Sequence, residues 1–272
     1  MEDFTGNLLE WLNVAARWIH VFAGIMWVGQ TYFFTWLDGR FSEMVDKVAA
    51  GSSEDRVWMV HSGGFYLVEK QKAPVFIPNT LHWFKWEAVS TGLSGLLLPG
   101  LVYYHGGLMA NENGDSTVNI IIGIASIFIP FQIYDVLWNS RIGQNEKLAA
   151  TISYVLLVGM TILLTQLMEG RAAYMHVGAM LGVTMVANVM RRIIPAQESM
   201  VAALKEGKAP DMTLALRAKL RSKHNTYLAV PVVFIMISNH YPVTSYGDSW
   251  NWAILSLLIL VGWGAAKVIR RA

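Results

Sequence analysis

The 272-residue chain contains no cysteine, and that one absence removes several chemistries together. Disulfides, thiolate zinc sites, iron–sulfur clusters and covalently attached c-type haem are all excluded. Charge is also scarce: Asp, Glu, Lys and Arg make up 15% of the residues, against roughly 25% in an ordinary soluble domain. There is no glycine-rich phosphate loop, zinc-protease motif or serine nucleophile elbow, so nucleotide-driven work and hydrolysis lack their usual signatures. The sequence opens Met1, Glu2, Asp3, with no basic stretch or small-residue cleavage pattern before the first apolar run, so no removable signal peptide is expected. The net charge of +2 points to no nucleic-acid partner.

In place of charge there are long apolar runs. A hydrocarbon core about 30 Å thick takes around 20 mostly apolar residues in helical form. Windows of that kind fall near 14–37, 86–104, 117–138, 148–168, 172–190, 225–243 and 250–266. The expected fold is all-α: a polytopic transmembrane helical bundle of about seven spans, forming a single integral membrane domain over 1–272. Its orientation follows from Lys and Arg, which concentrate in short loops on the cytoplasmic side. Residues 38–82 carry five, 139–147 two, 191–223 eight and the segment from Lys267 three, whereas the other side has only Arg171. The N-terminus is therefore expected outside and the C-terminus inside a cell (inner) membrane, with 38–82 and 191–223 as cytoplasmic loops.

Pro99, Pro130 and Pro231 fall inside spans, where kinks are expected and neighbouring helices can satisfy the freed carbonyls. Small residues gather in the second span (Ser90, Gly92, Ser94, Gly95, Gly100) and the fifth (Ala172, Ala173, Gly178, Ala179, Gly182), as in close helix contacts. Within 191–223, Asp211 can cap a helix in which Leu214, Leu216 and Leu220 alternate with Arg217, Lys219 and Arg221, the pattern of a helix lying on an anionic inner surface. The first loop mixes charge with Trp58, Phe65, Tyr66, Phe76 and Trp83, so it is expected to pack on the bundle and close over a site.

Ionisable groups within a membrane are costly and count as functional candidates. Arg17, His20 and Gly24 share one face of the first span, with His20 roughly 10 to 14 Å below the outer boundary at 1.5 Å per residue. That face suits a flat cofactor: imidazole to the iron, glycine for clearance, arginine near a propionate. On the expected topology His20, His105, His176 and His240 lie in the outer half, and His61, His82 and His224 in the inner half. Paired imidazoles from facing helices hold b-type haem or a metal in many bundles. His20 and His176 are the expected pair, with His240 in reserve; the alternative is that each satisfies a local hydrogen bond. His105, beside Tyr103 and Tyr104, reads as an interfacial residue. Toward the inner side, His82, Lys85 and Glu87 surround the start of the second span, and Asp135, Asn139 and Arg141 the end of the third. His82, Glu87 and Asp135 are candidates for proton transfer, and Lys85 and Arg141 for holding an anionic substrate; ordinary ion pairing, Asp135 with Arg141, is the plainer reading.

The segments WIHVFAGIMWVGQTYFF at 18–34, LVEKQKAPVFIPNTLHWFKWEAVSTG at 67–92, QIYDVLWNS at 132–140, MRRIIPAQ at 190–197 and KHNTYLAVPVVFIMISNHYP at 223–242 resemble the membrane-bound urate hydroxylase family, also described as the urate oxidase N-terminal domain. The resemblance implies oxidation of urate to 5-hydroxyisourate, with oxygen from water and electrons passed to a cytochrome c. Members typically carry a C-terminal cytochrome c domain with a Cys-x-x-Cys-His attachment, a motif absent from these 272 residues. The resemblance then implies a separate soluble or membrane-attached cytochrome c, or a scaffold that no longer oxidises urate. Two other classes stay open: a non-enzymatic b-type cytochrome or haem-handling membrane protein, and a transporter with a midplane site of Arg17, His20, Gln132 and Asn188.

Overall fold

A computed structural model describes residues 2–49, 56–71, 74, 77–105, 116–245, 247 and 249–270. Phe76 lies outside the described residues. The chain is built from nine α-helices and one hairpin among those residues: α1 (Glu2–Ala49), β1 (Arg56–His61), β2 (Gly64–Glu69), α2 (Trp86–Pro99), α3 (Ser116–Asn139), α4 (Glu146–Leu167), α5 (Gly170–Asn188), α6 (Ile194–Lys205), α7 (Met212–Ser238), the short α8 (Pro242–Ser245) and α9 (Asn251–Ile269). Among the described residues five segments are long and apolar enough to cross a membrane: Asn7–Val45, Thr117–Asn139, Glu146–Leu167, Gly170–Lys205 and Asn251–Ile269.

The remaining two apolar runs are interrupted for visible reasons. After Pro99, whose ring leaves a carbonyl without its helical donor, α2 widens into a π-helical turn over Gly100–Tyr104. The first half of α7 carries Arg217, Lys219, Arg221 and Lys223. Asp211 does cap this helix, accepting from the Thr213 N–H at 2.8 Å. The capped segment is not a separate surface helix, however. It runs unbroken through Pro231 to Ser238, so the basic stretch and the sixth apolar run form one rod.

The first loop also differs from expectation. α1 continues to Ala49, and a hairpin follows it. Its strands pair antiparallel from Arg56↔Glu69 to His61↔Gly64. Ser62 and Gly63 turn it with φ of 50° and 76°, the left-handed pair that matches the twist of a two-residue hairpin and that glycine adopts without steric cost. Lys70 pairs with Asp38 of α1. Trp58, Phe65 and Tyr66 are exposed rather than folded onto the bundle. Trp83 does reach the core, against a cluster that includes Trp27, Met185 and Val189.

The bundle is centred on α5, which touches α2, α3, α4 and α7; α9 closes it against α4 and α7, and α1 lies mainly along α2. Small residues make these approaches possible. A methyl group added at Gly92 would come within 3.0 Å of Val186, and one at Gly178 within 2.8 Å of Ile235 and Met236. Helices in lipid gain nothing from hiding apolar surface from one another, so close backbone approach and polar bridges must hold them. Accordingly the outer face of α1 (Trp11, Trp18, Phe22, Ile25) is left bare.

Candidate functional site

The largest polar assembly joins α3, α5 and α7, at the end of the bundle where the arginines gather. Asp135 of α3 accepts from Arg221 of α7 at 3.0 Å and forms a two-pronged pair with Arg192, just beyond α5. The Arg221 guanidinium lies 4.8 Å from the ring centroid of Tyr134. Tyr134 Oη is 2.6 Å from His224 Nδ1, and the His224 ring stands 4.1 Å from that of Trp138.

Proton positions in this network follow from one backbone carbonyl. The Met185 carbonyl can only accept, so Asn225 presents Nδ2 to it at 3.0 Å and turns Oδ1 toward Asn188. Asn188 must then donate from Nδ2, to Asn225 Oδ1 at 3.0 Å and to Tyr134 Oη at 3.1 Å. The other groups against the Tyr134 hydroxyl, Asn188 Nδ2 and the Arg221 guanidinium, are donors, so among the described residues His224 Nδ1 is the acceptor left for its hydrogen. The neutral imidazole therefore carries its own hydrogen on Nε2.

Two cavities flank this network. One, of about 610 Å³, is lined by Trp138, Asn139, Ser140, Arg191, Arg192, Arg217 and Arg221 among others. Among the described residues Asp135 is ion-paired to two of its four guanidiniums and Asp211 acts on Arg217 at longer range, so positive charge remains in excess and the basin is cationic. The other, of about 680 Å³, is apolar and runs between α3, α4, α5, α7 and α9. Trp138 belongs to the walls of both.

The expected site residues fare differently. Asp135 sits beside the basin, but its partners are Arg192 and Arg221 rather than Arg141. Arg141 is exposed, next to the basin-lining Ser140. His82 stacks edge-on against Phe84 with centroids 4.5 Å apart, and Lys85 lies 5.7 Å from the Trp86 ring. Glu87 keeps a buried oxygen without a partner. Among the described residues no hydrogen bond or ion pair joins His82, Lys85 or Glu87 to Asp135 or Arg141.

On the opposite side, Arg17 donates to Asn13 of its own helix at 2.8 Å, and a methyl group at Gly24 would meet only Thr91, at 3.9 Å. His20 Nδ1 donates to the Thr91 carbonyl at 3.0 Å, with its ring against Gly95. His176, fully buried, donates from Nδ1 to the Ala172 carbonyl at 2.7 Å and accepts at Nε2 from the Tyr104 hydroxyl at 3.0 Å. Gly95 and Tyr104 are separated by roughly 13 Å along the second span at 1.5 Å per residue. An iron bridging two imidazoles needs both at one level and a free nitrogen on each. His20 and His176 offer neither together, and His240 lies exposed in the turn after α7. These residues do not fit a bis-histidine haem b. Among the described residues no group of three His, Asp or Glu is placed to hold a metal ion. The four residues of the transporter reading also separate, with Gln132 on Arg191 and Asn188 in the inner network.

The sequence model of the urate oxidase N-terminal family matches residues 6–271. The chain belongs to that family. No curated protein and no solved structure matches it. The feature of this fold to set beside that family is the cationic basin, which has an indole in its wall. Reading the sequence alone missed Tyr134, Trp138, Arg192, Arg221 and His224. Two signals were available: the Arg191–Arg192 pair directly after an apolar helix, and asparagines 188 and 225 inside membrane-length runs, each of which needs a polar partner.

Proposed function

We propose that the chain is a membrane oxidoreductase that oxidises urate, or a related purine, to 5-hydroxyisourate and passes the electrons to a cytochrome c. In this reading it crosses the inner membrane seven times, N-terminus out, with the arginine basin facing the cytoplasm. The observation that carries the proposal is the basin itself. Urate is a planar anion edged with carbonyl and ring-nitrogen acceptors. Guanidinium forks donate paired hydrogen bonds to such edges, and an indole face stacks on the ring.

The reaction forms a C–O bond between the oxygen of water and C5, and urate and water together lose two electrons and two protons. The basin residues bind and orient the purine. Asp135 holds Arg192 and Arg221 in place, a positioning role rather than a proton-transfer role. Arg191 hydrogen-bonds only weakly, to Gln132 at 3.4 Å, and can turn to a ligand. The test is anaerobic: purified protein should consume urate only when an oxidised electron acceptor is supplied. Arg191→Gln should raise KM for urate about tenfold or more with kcat held, the cost of one charge-assisted hydrogen bond. No urate consumption with any acceptor would defeat the proposal.

A further inference from the structure

The apolar cavity has a chemistry of its own. Ile133, Leu137, Leu156, Leu157, Met160 and Leu181 form much of its wall. Ile133 and Leu156 are also about half exposed on the outside of the bundle, so a ligand can arrive from the bilayer. Several of the polar groups in the rest of the wall are already engaged: Glu146 pairs with Lys223, and the Ser153 and Thr184 hydroxyls donate to backbone carbonyls of their own helices, while Lys147 and Lys267 add positive charge. His224 presents the Nε2–H assigned above, which has no partner among the described residues. The Trp263 indole N–H is buried and likewise unpartnered. A lipid tail would leave the His224 donor unsatisfied, at a cost. The complementary ligand is a membrane-soluble molecule with an apolar tail and a carbonyl acceptor for that donor.

We propose that this cavity binds a lipid quinone, which takes the electrons from the basin. The inference rests on the proposed urate oxidation. It also resolves a problem of distance in that reading: a cytoplasmic basin and an outer cytochrome c lie on opposite sides of a core about 30 Å thick. A mobile quinone carries electrons across it. The two cavities share Trp138, and across their boundary Arg221 of the basin stacks on Tyr134 of the cavity wall. The step balances: urate, water and quinone give 5-hydroxyisourate and quinol. One C–O bond forms at C5, two electrons pass to the quinone, and its two oxygens gain the two protons that urate and water lose. His224 gives its Nε2 proton to one of these oxygens while Tyr134 gives its own to Nδ1, leaving a phenolate beneath the Arg221 guanidinium to be reprotonated from the basin. A second enzyme that oxidises quinol and reduces cytochrome c must then follow.

Equilibrium binding of decylubiquinone to the purified full chain, without urate, tests the site, and urate-dependent reduction of decylubiquinone tests the step. Binding should be saturable and weakened at least tenfold in His224→Phe and in Gly264→Trp. Gly264 lines the cavity, and a side chain there meets nothing within 4 Å at its first carbon, so the second variant adds bulk that starts clear of its neighbours; circular dichroism checks that it keeps the helical fold. Unchanged binding in Gly264→Trp overturns the proposal. So does equal competition by decylbenzene, which would mark a lipid-tail groove, or displacement by anionic phospholipid, which would mark a headgroup site around Lys147 and Lys267. Cytochrome c reduced by urate while decylubiquinone is not also overturns it. Urate left untouched with both acceptors, with quinone binding intact, defeats the urate reading and leaves the quinone site standing.

Discussion

Asp135 serves two arginines of very different exposure, and the difference predicts the outcome of removing each contact. The Arg221 side chain is 4% exposed and that of Asp135 15%, whereas Arg192 is 42% exposed. In Asp135→Asn the amide offers one acceptor oxygen and turns a donor toward one guanidinium, so a buried charge loses its counter-charge. Breaking a buried pair in this way costs about 3–5 kcal/mol. At about 1.4 kcal/mol per tenfold, that is a rise of roughly a hundredfold to several thousandfold in the unfolded fraction. Arg192→Ala removes the solvent-facing half of the same carboxylate's partnership and should cost only about 0–1 kcal/mol. The double change Asp135→Leu, Arg221→Met discards both buried charges and should recover most of what Asp135→Asn loses. Equilibrium unfolding in mixed micelles with increasing SDS, followed by circular dichroism, measures all three. Equal destabilisation by Asp135→Asn and Arg192→Ala, or no recovery in the double variant, would refute the assignment of Arg221 as the buried partner.

Three further outcomes follow from the same structure. Tyr104→Phe leaves His176 Nε2 a buried acceptor without its donor and should cost about 1–3 kcal/mol in the same titration. Gly178→Ala places a methyl group 2.8 Å from Ile235 and Met236 and should destabilise by about 1–3 kcal/mol, while Gly29→Ala, with nothing within 4 Å, should be neutral or stabilising. Asp211 is held below the ordinary carboxylate range by hydrogen bonds from Thr213, side chain first and then backbone. Its cap therefore contributes above the unfolded-state pKa and is lost as pH falls through the lower folded-state value. Amide exchange at Thr213 and Leu214 should accelerate, relative to the intrinsic rate, over that acidic window, and should not do so in Asp211→Asn.

Much of the helical framework was legible in the residues. Apolar runs at 117–138, 148–168, 172–190 and 250–266 match α3, α4, α5 and α9 within a few residues, and 86–104 ends where the π-helical turn after α2 ends. These boundaries are local facts, because a charged residue or a proline marks them without reference to the rest of the chain. The cap at Asp211 and the close approach at Gly178 were legible for the same reason. The hairpin at Arg56–Glu69 was not: apart from the buried Val57, most of its apolar side chains are exposed, so the alternation reads as a sticky loop rather than a strand pair.

Contacts between helices were a different matter. His20 and His176 looked like a pair because they lie at comparable depth on the expected topology, yet each is engaged by the second span at a different level. Asp135 looked like a partner for Arg141, six residues away, and instead meets Arg192 and Arg221. In a soluble bundle an apolar stripe tells which face of a helix turns inward. Here lipid and bundle interior are equally apolar, so hydropathy leaves the rotation of each helix about its axis undetermined. By itself the sequence determined that this is a cysteine-free, helical membrane protein of the urate oxidase N-terminal family, with its cations gathered toward one side. Only the tertiary structure decided which side chains share a wall: four arginines and Trp138 around one cavity, His224 and Trp263 around another. Small-residue packing sets the helix rotations that bring those distant residues together.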